Sequence, residues 1–114
     1  MKLLIVEDNA PMRQLIRSVV EGLAGEVFEC SDGVDALAAY TRHLPDWVLM
    51  DIEMPKLDGI AATLEIKTAF PQAQIVIVTQ YDDAKLRQSA QSAGACGYVL
   101  KERLLDVLKI LRSN

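Results

Sequence analysis

Four apolar runs in this 114-residue chain each end in a side chain that can do chemistry. Leu3-Leu4-Ile5-Val6 leads into Glu7-Asp8, and Trp47-Val48-Leu49-Met50 into Asp51. Ile75-Val76-Ile77-Val78 leads into Thr79, and Gly97-Tyr98-Val99-Leu100 into Lys101. Mg²⁺ is a hard cation that prefers octahedral oxygen ligands and combines one or two carboxylates with waters and phosphate oxygens. Glu7, Asp8 and Asp51 are of the type that holds it, and the backbone carbonyl of Glu53, two residues past Asp51, is a further candidate ligand. Carboxylates crowded into an empty site repel one another, and a divalent cation relieves that repulsion. Asp51 has a second capacity, because a carboxylate can attack phosphorus and form an acyl phosphate. Charge spreading over the equatorial oxygens of such a transfer would be met by Mg²⁺, the Lys101 ammonium and the Thr79 hydroxyl.

That chemistry requires the run ends to converge. Continuous apolar runs of this length suit parallel strands buried on both faces, and ligands of open α/β sheets bind just beyond the carboxyl ends of such strands. Strand and helix patterns alternate along the whole chain without a repeat or linker, which predicts βαβ units and one domain over residues 1–114. Asn9-Ala10-Pro11 offers an N-cap and an early proline for a first helix, with Met12, Leu15, Ile16, Val19, Val20 and Leu23 at helical spacing. That helix should stop near residues 22–25, and residues 26–30 alternate as an edge strand would. Ser31-Asp32-Gly33 opens a second helix with Ala36, Leu37 and Tyr40 inside, broken at Leu44-Pro45-Asp46. A third helix follows Asp58-Gly59, with Ile60, Leu64 and Lys67 in register and an end near Phe70-Pro71. The Asp58-Gly59 pair reads as turn chemistry.

The fourth helical stretch, residues 82–92, has only Leu86, Ala90 and Ala93 on its apolar side, so it is predicted to be the most mobile. The last carries Leu104, Leu105, Val107, Leu108, Ile110 and Leu111, a wide apolar arc. It either packs on the sheet or covers a partner, a second copy included.

Composition narrows the class. The hydrophobic content of 51% suits one compact domain, and the net charge of −4 argues against a direct nucleic-acid or anionic-membrane surface. No apolar run approaches the roughly 18 residues of a membrane span. The amino terminus begins like a signal peptide but meets Glu7 and Asp8 after four apolar residues. Cys30 and Cys96 lack any metal-ligand spacing and read as buried free thiols of a cytoplasmic protein. The single histidine, His43, reads as a solvated helix-end residue.

Glu7-Asp8, Asp51, Met54-Pro55 with Asp58-Gly59, Thr79, and Gly97-Tyr98 with Lys101 together resemble the receiver domain of two-component response regulators, over essentially the whole chain. The resemblance implies a flavodoxin-like α/β fold, a doubly wound five-stranded parallel sheet of order 2-1-3-4-5 flanked by five helices. It implies that Asp51 accepts a phosphoryl group from a sensor histidine kinase, with Glu7 and Asp8 as the metal pair, Lys101 on the phosphoryl group, and Thr79 and Tyr98 as the switch. Output would pass through the face formed by helix 4, strand 5 and helix 5 to an effector domain or partner protein. The stretch around Gly97 to Glu102 favours control of transcription, in a complete single-domain regulator or the amino-terminal part of a longer one.

Three departures stand out from the family pattern. Glu102 follows Lys101 where a proline is common, so a cis peptide is less expected there. Gln80 stands where a small residue usually follows the switch threonine, and Glu53 adds an acid beside the acceptor; both bear on the kinetics of the phosphoryl group. Rival readings fare worse. Asp51-Ile52-Glu53 only superficially resembles the Asp-x-Asp of haloacid-dehalogenase-type phosphohydrolases and lacks the second Asp. A module that keeps its acids as a relic has no reason to retain Thr79 and Lys101. A Rossmann-type binder would need a glycine-rich loop where Glu7-Asp8-Asn9 stands.

Overall fold

The computed structural model describes residues 1–113. Five strands alternate with five helices: β1 (Lys2–Val6), α1 (Ala10–Val20), β2 (Glu26–Cys30), α2 (Ala36–His43), β3 (Trp47–Met50), α3 (Gly59–Ala69), β4 (Ile75–Thr79), α4 (Ala84–Ala93), β5 (Gly97–Leu100) and α5 (Leu105–Arg112). A 3₁₀ turn (Lys101–Arg103) joins the last two. All strand pairs are parallel in the order β2-β1-β3-β4-β5, so this is the doubly wound flavodoxin-like sheet that the sequence implied. No helix among the described residues is long and apolar enough to cross a membrane.

Side chains of a strand alternate between faces, and here both faces are buried. Leu3, Ile5, Leu49, Val76 and Val78 pack with Ile16 and Val20 of α1 and Val107 and Leu111 of α5. Leu4, Val6, Met50, Ile75 and Ile77 pack with Tyr40 of α2, Ile66 of α3 and Ala90 of α4. This is why the central runs contain no polar residue until their last position. β2 is the edge that its alternation predicted, with Glu26 and Glu29 exposed.

Caps set where the helices begin. The Asn9 side chain accepts from the Met12 amide at 2.9 Å, with Pro11 in the first turn, as the sequence indicated. Asp83 caps α4 in the same way through the Leu86 amide at 3.0 Å. The second helix starts later than expected. Residues 31–35 form turns, with Asp32 accepting from the Asp35 amide at 2.8 Å, and α2 opens only at Ala36.

Several expected faces are corrected. Leu15 of α1 is 48% exposed, because the stripe that reaches the sheet is Ile16 and Val20. In α3 the inner face is Gly59, Ala62, Thr63 and Ile66, whereas Leu64 is 54% exposed. Lys67 does not pack inward but turns its ammonium onto the Pro71 and Ala73 carbonyls beyond the helix end. Cys96 is exposed and only Cys30 is buried. His43 is half-buried, its ring stacked on Phe28 at 3.8 Å between centroids. The apolar arc of α5 goes mostly into the sheet: Leu104, Val107 and Leu111 are buried, and Leu105 alone is strongly exposed.

Lys56, in the loop after β3, holds φ at 72°, the left-handed region that residues with a β-carbon avoid. Asparagine tolerates that region better, so Lys56→Asn is expected to stabilise the domain by about 0.5 kcal/mol. Denaturant unfolding with an unchanged m-value checks it; a loss of stability would mean that backbone preference does not limit this loop.

Candidate functional site

Glu7, Asp51 and Lys101 each sit one residue past the end of a strand, and Thr79 is the last residue of β4. The Glu7 amide donates to the Cys30 carbonyl at 3.0 Å and the Asp51 amide to the Val6 carbonyl at 2.9 Å, so both residues continue the ladder at the sheet's carboxyl edge. Glu7 is further held by Arg13 of α1, whose guanidinium donates to the Glu7 carbonyl at 2.8 Å, and by the Asn9 amide, which donates to its carboxylate at 3.2 Å. Glu7 is 1% exposed and Asp51 5%, while Asp8 faces solvent. Carboxylate oxygens of Glu7, Asp8 and Asp51 lie within 4.8 Å of one another.

Lys101 reaches over this cluster from the end of β5. Its ammonium is 2.9 Å from Glu7 Oε1 and 3.2 Å from Asp51 Oδ1. Burial works against that charge, and the Glu7 and Asp51 carboxylates outweigh it, so Lys101 is held above the ordinary lysine range. Asp51 moves the other way from a usual carboxylate. Burial and then the Glu7 charge push it up to about 7, and the Lys101 ammonium offsets only part of this. Between pH 4 and 7 the site therefore resists carrying its full negative charge without a further cation.

The donor set fits Mg²⁺. Glu7 Oε1 is buried and, although at ion-pair distance from Lys101, receives no well-aligned hydrogen bond. A buried carboxylate oxygen without a donor is costly, and coordination would satisfy it. The three carboxylates line a cavity of about 350 Å³, which Glu53 and Gln80 also border. That volume accommodates a hydrated cation with a phosphoryl group.

Thr79 and Tyr98 stand outside this cavity. Thr79 is fully buried, and its hydroxyl accepts from the Tyr81 amide at 3.2 Å. Tyr98 is half-buried under the Arg87 guanidinium, 4.3 Å above its ring, and its hydroxyl donates to the Tyr81 carbonyl at 2.7 Å. The structure thus brings Glu7, Asp8, Asp51 and Lys101 together directly, and joins Thr79 to Tyr98 through Tyr81. The Lys101–Glu102 peptide is trans.

One residue of the site, Tyr81, escaped the sequence reading, and one pair, Asp58-Gly59, plays a different part from the one expected. Tyr81 borders the cavity, and its phenol donates to the Glu53 carboxylate; an aromatic two positions past Thr79 was the only signal. Asp58-Gly59 is not a turn. Asp58 caps α3 through the Ala61 amide at 2.9 Å, and Gly59 brings the helix so close to β3 that a β-carbon there would lie 1.7 Å from the Asp51 carbonyl oxygen.

Comparison with known proteins gives a consistent picture. The model of the response regulator receiver domain matches residues 3–111. The chain is 39% identical to chemotaxis protein CheY of Halobacterium salinarum, over 88% of this chain and 83% of that protein. It is 34% identical to the uncharacterized transcriptional regulatory protein YxjL of Bacillus subtilis, over 91% of this chain but 49% of that one. Among solved structures, a LuxR-family two-component response regulator from Aurantimonas superposes with a TM-score of 0.91 at 29% identity, covering 98% of this chain and 82% of that one.

Proposed function

Since the chain belongs to the response regulator receiver domain family, we propose that it is a phosphorylation-operated switch in which Asp51 is the acceptor. The observation that carries this is the buried Asp51 carboxylate, paired with Lys101 and crowded by Glu7 and Asp8 at the sheet's carboxyl edge. In the transfer, an Asp51 oxygen attacks the phosphorus of a sensor kinase's phosphohistidine, the phosphorus–nitrogen bond breaks, and the imidazole leaves. Lys101 stays beside the oxygens that gain charge, as a point charge on a short tether. Glu7, Asp8, Asp51 and the Glu53 carbonyl would hold Mg²⁺, which when bound supplies charge neutralisation and alignment.

The switch acts through Thr79. Its hydroxyl now serves the Tyr81 amide, and donation to a phosphoryl oxygen on Asp51 would draw the β4–α4 loop inward. Because the Tyr98 hydroxyl is tied to the Tyr81 carbonyl, that movement reaches the α4–β5–α5 face. Thinly anchored α4, with Ala90 and Ala93 as its buried residues, is the element whose population shifts.

We assign that face to an effector domain or partner protein, and transcription to the process controlled, on the strength of similarity to a transcriptional regulatory protein. Similarity to CheY supports a second reading, in which the domain over residues 1–114 binds a separate target. A homodimer through α5 would centre on Leu105. The domain works in a reducing cytoplasm, neither binds nucleic acid itself nor spans a membrane, and turns over no substrate beyond its own phosphoryl group.

Incubation with acetyl phosphate and Mg²⁺, followed by intact-mass spectrometry, tests the proposal. A single base-labile phosphoryl adduct that disappears when chelator replaces Mg²⁺ is the expected result. Steady release of phosphate from a small ester, with no adduct on the chain, would sink it.

A further inference from the structure

Arg13 stands where electrostatics alone would not put a cation. It lies in the first half of α1, near the positive end of the helix, and beside a cluster of acids suited to a divalent cation. Each of these disfavours its charge. Local geometry explains how it gets there: helical side chains lean toward the helix amino terminus, so from the turn after the Asn9 cap the guanidinium is carried back over the end of β1. One of its amino groups donates to the Glu7 carbonyl at 2.8 Å, and its Nε donates to the Glu29 carboxylate at 2.7 Å. Glu29 comes from the edge strand β2, opposite Ile5, and its other oxygen accepts from Arg17. Burial would raise the Glu29 carboxyl, but Arg13 and Arg17 outweigh it and hold it below the ordinary range, so the anchor is ionised.

We propose that Arg13 is a positioning residue for the metal pair: anchored on Glu29, it fixes the peptide between Glu7 and Asp8 and so sets how tightly the site binds Mg²⁺. The inference rests on the reading of Glu7, Asp8 and Asp51 as Mg²⁺ ligands. The Glu7 carbonyl belongs to the peptide that joins the two acids, so its direction sets the rotation of that peptide and, with it, the place of Asp8. The other ties hold Glu7 rather than Asp8: the Glu7 amide is on the Cys30 carbonyl, and the Glu7 carboxylate takes the Asn9 amide and faces Lys101. Asp8 faces solvent, and its carboxylate forms no hydrogen bond or ion pair among the described residues. Mg²⁺ tolerates little departure from octahedral geometry, so a ligand placed only by its backbone depends on what holds that backbone. Charge and position make opposite demands here. By charge alone the guanidinium should weaken Mg²⁺ binding, because like charges repel. As a positioning group it should strengthen binding, so the sign of the change on its removal decides between the two.

Titration of Mg²⁺ into the metal-free domain, followed by backbone amide chemical shifts at about 0.15 M salt, tests this. The proteins are the parent, Arg13→Ala, Arg17→Ala, Glu29→Ala and the Arg13→Ala, Glu29→Ala double variant, with thermal midpoints as the folding control. Arg13→Ala is expected to raise the dissociation constant about tenfold, the low end of what losing the hydrogen-bond partner of a metal ligand costs. Arg17→Ala removes the same charge and a contact to the same Glu29 but touches nothing at Glu7, so its constant should stay within about twofold of the parent's. Glu29→Ala should weaken binding about threefold, because Arg13 loses its anchor, and should add nothing in the Arg13→Ala background. Glu29 is an exposed edge-strand residue, so its variant reads the same linkage should Arg13→Ala unfold. With acetyl phosphate, Arg13→Ala should form the adduct slowly at low Mg²⁺ and at the parent's rate once Mg²⁺ saturates. Equal or tighter binding by Arg13→Ala, an equal loss in Arg17→Ala, independent effects of Arg13 and Glu29, or a rate that stays low at saturating Mg²⁺ would each overturn the proposal while leaving the metal ligands as they are. Failure of the parent to bind Mg²⁺ would instead overturn the ligand reading on which it rests.

Discussion

Asp51→Asn is expected to abolish the phosphoryl adduct and, at the same time, to make the metal-free domain more stable. The first effect follows from the chemistry, because an amide oxygen does not replace a carboxylate as nucleophile toward phosphorus. The second follows from the electrostatics. Burial and the Glu7 charge push Asp51 up to about 7 in the folded chain, against an ordinary value of 3.8. The folded state therefore binds the proton more tightly than the unfolded state. Stability contributed by protonated Asp51 is fully present below pH 3.8 and is lost as pH rises through about 7. Asparagine carries no such penalty. The gap between variant and parent should be small near pH 4, widen through neutrality and level off above about pH 7. One pH unit of such displacement is worth about 1.4 kcal/mol, and relaxation of the site lowers the total, so a gain of about 1–3 kcal/mol is expected at pH 8. For a domain of this size that is a rise of roughly 4–12 °C in the unfolding midpoint. Mg²⁺ binds the folded parent and should close part of the gap by mass action, whereas the variant, short of one ligand, should respond less. Thermal unfolding at pH 5 and pH 8, with chelator and with Mg²⁺, reads all of this. A variant less stable than the parent at pH 8 would contradict the electrostatic account.

The same electrostatics explains why so much of this site was legible in the sequence. Carboxylates and a lysine placed at the ends of strands buried on both faces have no packing reason to be there, and the sheet order brings β1, β3 and β5 to one edge. Glu7, Asp8, Asp51 and Lys101 therefore converge as their positions required. The strands were readable for a related reason: a central parallel strand needs apolar residues at every position. Helix faces carried less information. In α3, small residues do the packing, since Gly59, Ala62 and Thr63 lie inward beside Ile66, and the larger Leu64 faces solvent. Size and hydrophobicity therefore pointed to the wrong side. Leu15 misled in the same way, lying one position off the Ile16–Val20 stripe. Tyr81 was invisible because its role depends on Glu53, 28 residues earlier, and on Tyr98, 17 residues later. No local pattern encodes a contact between two loops.

Gly59→Ala is the substitution expected to do the most damage to the fold per atom added. The usual role of an Asp-Gly pair, a tight turn at positive φ, is not what Gly59 performs; it is the first residue of α3, and Gly94 is the only described glycine with positive φ. What it provides is close approach. A β-carbon at this position would lie 1.7 Å from the Asp51 carbonyl oxygen and 2.7 Å from its carbon, both backbone atoms that no side-chain rotation can clear. The Gly59 amide also donates to the Ile52 carbonyl at 2.8 Å, which fastens the start of α3 to the chain just past Asp51. Relief of the clash must push α3 outward, break that hydrogen bond, or turn the Asp51 peptide. Each route displaces Asp51 or unseats Ile66 from the core. Overpacking against a fixed backbone costs about 1–3 kcal/mol or more, and the lost hydrogen bond adds about 1 kcal/mol. Gly59→Ala is therefore expected to destabilise by about 3 kcal/mol, and the folded fraction should accept phosphate far more slowly, because a shift of about 1 Å at a reacting group costs on the order of a hundredfold. Gly22→Ala is the matched control: its added methyl meets nothing within 4 Å, so stability should stay within about 0.5 kcal/mol of the parent. Urea unfolding of the two variants, with the initial rate of adduct formation measured by intact mass, separates the outcomes. Equal stability and equal rates in both would mean that α3 and β3 can part without consequence, and that the site does not depend on how closely Gly59 lets them approach.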